Sequence, residues 1–121
     1  MPRGIVIRDA HFPGRAPIDA YGEGGFRFAD MSHRGAILCL PSGIHGWSIE
    51  GDEPLHIANF AKVIEEAGGI EVLIVGTGPD IRRLPQPLRD ALRASGISAD
   101  PMSTGAAVRT FNVLLAEDRA V

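Results

Sequence analysis

Ile70-Glu71-Val72-Leu73-Ile74-Val75-Gly76-Thr77-Gly78 reads as a short strand that leaves its sheet through glycine. A run of branched apolar residues without polar alternation fits a strand covered on both faces, as in the parallel sheets of α/β proteins. On either side of it the pattern changes to a helical period. Upstream, Asp52-Glu53-Pro54 supplies a cap, an early acid and a first-turn proline, and Ile57, Phe60, Ala61 and Ile64 recur at helical spacing. This predicts a helix of about three turns, closed by Gly68-Gly69. Downstream, Pro85 and Pro87 open a second helix with Leu88, Ala91 and Leu92 on its inner face, terminated at Gly96. Ile97 to Ala99 reads as a further short strand. Ser103 or Thr104 then caps a last helix whose inward stripe is Ala107, Phe111, Leu114 and Leu115.

Ahead of this region lies Arg34-Gly35-Ala36-Ile37-Leu38-Cys39-Leu40, an apolar run that predicts a central strand. From Gly35 onward, strand and helix therefore alternate, the pattern of right-handed crossovers and a parallel sheet. The front of the chain is different: proline and glycine punctuate short segments at residues 11–17 and 21–25, which predicts turns between short strands at Ile5–Arg8, Ile18–Tyr21 and Phe26–Ala29. The expected fold is α/β and three-layered, with a parallel βαβ core in a central mixed sheet and a β-rich N-terminal part. One domain is expected over residues 1–121, a length that buries about two thirds of the surface its unfolded chain exposes.

Composition excludes several classes of function. Hydrophobic residues make up 45% and charged residues 22%, ordinary globular usage. Twelve basic against fifteen acidic residues give a net charge of -3, with no cationic tract for a phosphate backbone, so nucleic acid is not an expected partner. The apolar runs fall far short of a membrane span, so membrane insertion is not expected. The single cysteine, Cys39, cannot form an internal disulfide, and the four histidines share no spacing that closes a metal site. The expectation is a cytoplasmic domain without cofactor or metal.

In a parallel sheet the ligand crevice lies beyond the carboxyl ends of the strands, where helix N-termini converge. Three loops are expected to share that rim: residues 41–47, 76–83 and 100–105. Gly76-Thr77-Gly78 has the opening of a dinucleotide fingerprint, but Ile81 stands where the third glycine belongs, so a tight strand exit is the simpler reading. Ser42 and His45 are residue types of a nucleophile and its base, although the glycine-flanked elbow of a hydrolase serine is absent. The plainer alternative is a turn in which both satisfy local backbone groups while Trp47 faces the core. Cys39, inside an apolar run, is read as an inert core thiol whose pKa burial raises. Eleven arginines stand against one lysine, and Arg82, Arg83 and Arg109 are placed to bring charge to the last helix's N-terminus at Thr104. The candidate crevice, for a small anion, is thus Ser42, His45, Gly76, Thr77, Gly78, Arg82, Arg83, Thr104 and Arg109. No catalytic residue is assigned.

Residues 70–78, the proline-bearing loop and helix ending at Gly96-Ile97, and Met102-Ser103-Thr104-Gly105-Ala106-Ala107-Val108-Arg109-Thr110-Phe111-Asn112-Val113-Leu114 together resemble a domain-of-unknown-function family. That family includes the adipogenesis-associated protein and a mitochondrial assembly factor for respiratory complex I. The earlier Ile18–Tyr21, Phe26–Phe28 and Pro41–Trp47 segments also fit. The resemblance implies a C-terminal helix leading to a last strand that runs against its neighbours; here Arg119-Ala120-Val121 would begin it. It also implies recurring positions at Gly76, Gly78, Thr104, Ala106 and Asn112, without catalytic roles. The function it implies is a non-catalytic binding or assembly module with a protein partner in respiratory complex assembly. The competing expectation is a small anionic-ligand-binding domain or enzyme using the crevice.

Overall fold

The computed structural model describes residues 11–121, so the expected strand at Ile5–Arg8 lies outside the described residues. Three sheets and three α-helices make an α/β molecule. Strands β2 (Ile18–Gly22), β3 (Gly25–Phe28) and β4 (Met31–Arg34) form an antiparallel meander. Its two-residue turns, Glu23-Gly24 and Ala29-Asp30, all have positive φ, the left-handed pairing that matches the twist of a hairpin. A second sheet orders β1 (His11–Phe12), β6 (Gly43–Gly46) and β5 (Ile37–Leu40), all antiparallel. The third is the parallel pair β7 (Val72–Gly76) and β8 (Ser98–Met102), crossed over by α2 (Gln86–Ala94). Helix α1 (Ala61–Glu65) precedes β7, and α3 (Thr104–Ala116) follows β8.

Strand β5 explains the three layers. Leu38 and Leu40 point to one face, into a core with Phe60 just ahead of α1, Val63 of α1, Val75 of β7, and Leu88 and Leu92 of α2. Ile37 and Cys39 point to the other, against Phe28, Ile44 and Ile18, where Val108 and Phe111 of α3 also pack. A strand with apolar neighbours on both sides needs an unbroken apolar sequence, and residues 36–40 provide it.

Several expectations are corrected. The parallel crossover from Leu40 to β7 does not form: Pro41-Ser42 turn the chain straight back into β6, read from sequence as loop, and β5 ends one border of its sheet. Residues 43–46 lack a strand-like alternation because β6 is squeezed between β5 and β1. A Cβ at Gly43, whose φ is +141°, would collide with the Phe12 carbonyl, so only glycine lets the two backbones meet there. The first helix does not start at Asp52. His56 Nδ1 accepts from the Ala58 N–H at 3.0 Å and caps a single turn of 3-10 helix, Ile57–Phe60, that leads into a short α1. Strand β8 runs on to Met102 through Pro101, past the expected end at Ala99. Ser98 donates to Glu71 C=O and Thr77 donates to Met102 C=O, so in the alternation of a parallel ladder residue 101 turns its nitrogen away from β7. A proline is acceptable on that outer border.

Candidate functional site

The exits of β7 and β8 do lie together. Thr104 and Gly78 clasp each other: the Thr104 N–H donates to Gly78 C=O at 2.8 Å, and the Gly78 N–H donates to Thr104 Oγ1 at 3.0 Å. Thr77 Oγ1 donates to Asp80 C=O at 2.8 Å and accepts from the Arg82 N–H at 3.0 Å. The Thr77 N–H itself goes to Met102 C=O at 2.8 Å. Backbone donors that would cradle a phosphate are thus spent inside the fold. Gly76 has a different reason: a Cβ there would lie 3.3 Å from the Ala107 Cβ and 3.4 Å from the Thr104 Cα, so its lack of side chain seats α3 on β7.

The arginines divide. Arg82 makes a two-pronged contact with Glu53, 3.1 and 3.2 Å from its carboxylate oxygens. The Leu55 N–H first, and then Arg82, hold the Glu53 carboxyl below its ordinary range. Arg83 is exposed. Arg109 is exposed on α3, its guanidinium beside the face of Gly105, which the Tyr21 hydroxyl covers.

Ser42 and His45 are elsewhere. Ser42 sits in the β5–β6 turn, where its N–H donates to Glu66 Oε1 at 2.9 Å and its Oγ lies 2.7 Å from Glu66 Oε2 and 2.8 Å from His45 Nε2. Beside it, a Cβ at Gly69 would touch Pro41 Cγ at 3.0 Å. Glu66 and Gly69 immediately precede β7, so the exit of β5 abuts the entry of β7, about 13 Å of strand away from Gly76. The three loops therefore do not open on one rim. The expected nine-residue crevice separates into a turn at one end of β7 and a clasp at the other, because the hairpin reverses β5.

The serine and histidine are in reach, and Glu66 shares the hydroxyl. A carboxylate only accepts, so the single hydroxyl proton goes to Glu66 and the imidazole N–H then donates to Oγ. In a nucleophile relay the carboxylate orients the histidine and leaves the hydroxyl to it. Here it holds the hydroxyl, locking the hairpin to the end of α1. Glu66 stands 24 positions from Ser42 and no spacing in the chain announces it.

The groups that do match the recurring pattern are structural. Asn112 accepts from the Ile18 N–H at 2.9 Å and donates to the Ile18 carbonyl at 2.9 Å, so its amide stands in for a neighbouring strand where β2 shifts register between Ile18 and Ala20. Cys39 lies partly buried, and desolvation pushes its thiol up to about 12. Ile37, Cys39, Ile74, Ala107, Phe111 and Val121 line an apolar cavity of about 150 Å³ between β5 and β7.

Residues 18–121 match the family model for proteins of unknown function DUF498/DUF598. The chain belongs to that family. An uncharacterized protein of Rhodobacter capsulatus is 40% identical over 117 residues, covering 97% of this chain and 89% of its own length. The mouse NADH dehydrogenase [ubiquinone] 1 alpha subcomplex assembly factor 3 is 29% identical over 115 residues, covering 95% of this chain but 62% of the relative. Among solved structures, a Bartonella henselae protein described as an outer membrane protein is 65% identical with a TM-score of 0.86, over 92% of this chain and 93% of that one. A Rhodopseudomonas palustris protein is 44% identical with a TM-score of 0.81, over 100% of this chain and 88% of that one. Among the described residues no helix is long and apolar enough to cross a membrane.

Proposed function

We propose that this protein is a non-catalytic binding module that assists assembly of a membrane NADH dehydrogenase through contact with a protein partner. The observation that carries the reading is the closure of three polar clusters on the fold itself: Ser42 on Glu66, Gly78 on Thr104, Arg82 on Glu53. Supporting it, several related chains are named as assembly factor 3 of that enzyme. A module whose polar groups serve its own turns acts through surface and shape, and its product is a complex.

The test uses Rhodobacter capsulatus, whose 40%-identical protein is deleted and replaced by this chain. The expected result is a several-fold fall in assembled NADH:ubiquinone oxidoreductase on native gels after deletion, restored by this chain. Unchanged enzyme levels in the deletion strain overturn the reading.

A further inference from the structure

Residues 81–93 are a positive stretch in a negative chain: four arginines stand there against one acid, Asp90, while the net charge of the whole is -3. Leu84, Leu88 and Leu92 turn into the core, and Arg83 and Arg93 are exposed with Arg89 half-buried. Arg89 and Arg93 each follow a buried leucine of α2 by one position, so they share a flank of the helix and lie one turn, about 6 Å, apart. The acids nearby are answered locally, Glu53 by Arg82 and Asp90 by the Gln86 amide at 2.7 Å. Elsewhere Arg15 meets Asp118 and Arg119 meets Glu71. Among the described residues no ion pair or hydrogen bond holds Arg83, Arg89 or Arg93. Like charges one turn apart disfavour a helix, so this flank carries a small cost that the fold itself does not offset.

Just ahead of these cations in the chain stands Ile81, 65% exposed. Its presentation is built: Thr77 Oγ1 donates to the Asp80 carbonyl before it and accepts from the Arg82 N–H after it, and Glu53 holds the Arg82 guanidinium. An apolar side chain on a loop pinned on both sides loses little freedom when a partner covers it. Asp80, exposed just before Ile81, ends the cationic stretch. Arginine forks match carboxylates two bonds at a time, whereas a lipid surface calls for a denser cluster of cations than Arg83, Arg89 and Arg93 supply. A helix laid along α2 has the same pitch, so acids repeating once per turn meet Arg89 and Arg93 together. Resting on the assembly reading above, we propose that the partner docks on this surface: it lays an acidic helix, with carboxylates one turn apart and apolar residues beside them, against Ile81, Arg83, Arg89 and Arg93.

The probe is a helical peptide of three Glu-Leu-Ala-Ala repeats, titrated into the full chain by NMR beside the same peptide with glutamine for every glutamate. Expected are saturable shifts confined to the 79–83 loop and α2, including the guanidinium signals of Arg83, Arg89 and Arg93, and at least tenfold weaker binding of the glutamine peptide. Raising salt from about 50 mM to about 300 mM is expected to weaken the first peptide several-fold, since exposed charges are screened. The combined Arg83→Glu, Arg89→Glu and Arg93→Glu variant is expected to lose at least tenfold in affinity with unchanged circular dichroism; the matching Gln variant decides the matter if it does not fold. Ile81→Ser is expected to lose several-fold without altering the salt dependence. Absence of binding, equal binding of both peptides, or shifts centred elsewhere overturns the proposal. Vesicles of phosphatidylcholine with about a third phosphatidylglycerol that engage these arginines while the peptide does not would assign the surface to a membrane, and self-association lost with the same arginines would assign it to a second copy; either overturns it. A triple variant that cannot bind peptide but still restores the oxidoreductase in Rhodobacter capsulatus sinks the surface and leaves the assembly reading standing.

Discussion

Asn112 is a helix residue that behaves as a piece of sheet, and its two bonds to Ile18 tie α3 to β2. Replacing it by alanine strands a partly buried N–H and C=O, so Asn112→Ala is expected to lose about 2–3 kcal/mol in urea titration, with Asn112→Asp in between. Cys39 is expected to resist a thiol reagent at pH 8 and to react fully only in denaturant, since burial holds its pKa near 12. The sign follows from a raised folded pKa: the neutral thiol stabilises the fold below its ordinary value, and the contribution fades as pH climbs toward 12. Cys39→Ser is expected to flatten that alkaline loss of Tm. Arg109 stands exposed beside Tyr21 and Gly105, away from Arg82, which Glu53 engages, so phosphate at 50 mM, a concentration of about the size needed to reveal weak binding, is expected to leave the Tm of parent and Arg109→Ala equally unmoved. A phosphate-dependent rise confined to the parent would restore the anion reading.

The β5–β6 hairpin is the element least legible in the sequence. Pro41-Ser42 carries ordinary turn chemistry, yet Gly43-Ile44-His45-Gly46 has no strand signature of its own, because glycine there answers to β1 pressing on it. Gly43→Ala is expected to cost about 2 kcal/mol or more, since positive φ and a backbone clash add, and to free β1 in hydrogen exchange before the rest of the fold opens. Glu66→Gln keeps the size of the side chain but weakens its hold on Ser42; as the contact is exposed, the expected loss is at most about 1 kcal/mol. A matching esterase assay on p-nitrophenyl acetate is expected to show no Ser42-dependent rate. Helices α2 and α3 and strand β7 were far more legible, because burial against several neighbours writes its period into the chain, as Leu88 and Leu92 show.

Across the fold, β5 belongs to both cores, with Leu38 on one side and Cys39 on the other. Damage to either core is therefore expected to appear in the same transition: Leu92→Ala and Phe28→Ala each lower stability by about 2–5 kcal/mol, with far-UV circular dichroism and Trp47 fluorescence moving together in urea. Separate transitions would show two independently folding halves.

The chain alone determined the α/β class, a cap at Ser103 or Thr104 and the crossing of α2 between two parallel strands, because each is written in local period and composition, and its motifs carried the family resemblance. It could not determine which strand ends meet. A two-residue reversal at Pro41-Ser42 returns the chain as β6 beside β5, and that one turn parts Ser42 from Thr104 and hands the serine to Glu66. Pairing between distant segments depends on their joint burial, and no stretch of sequence carries that by itself.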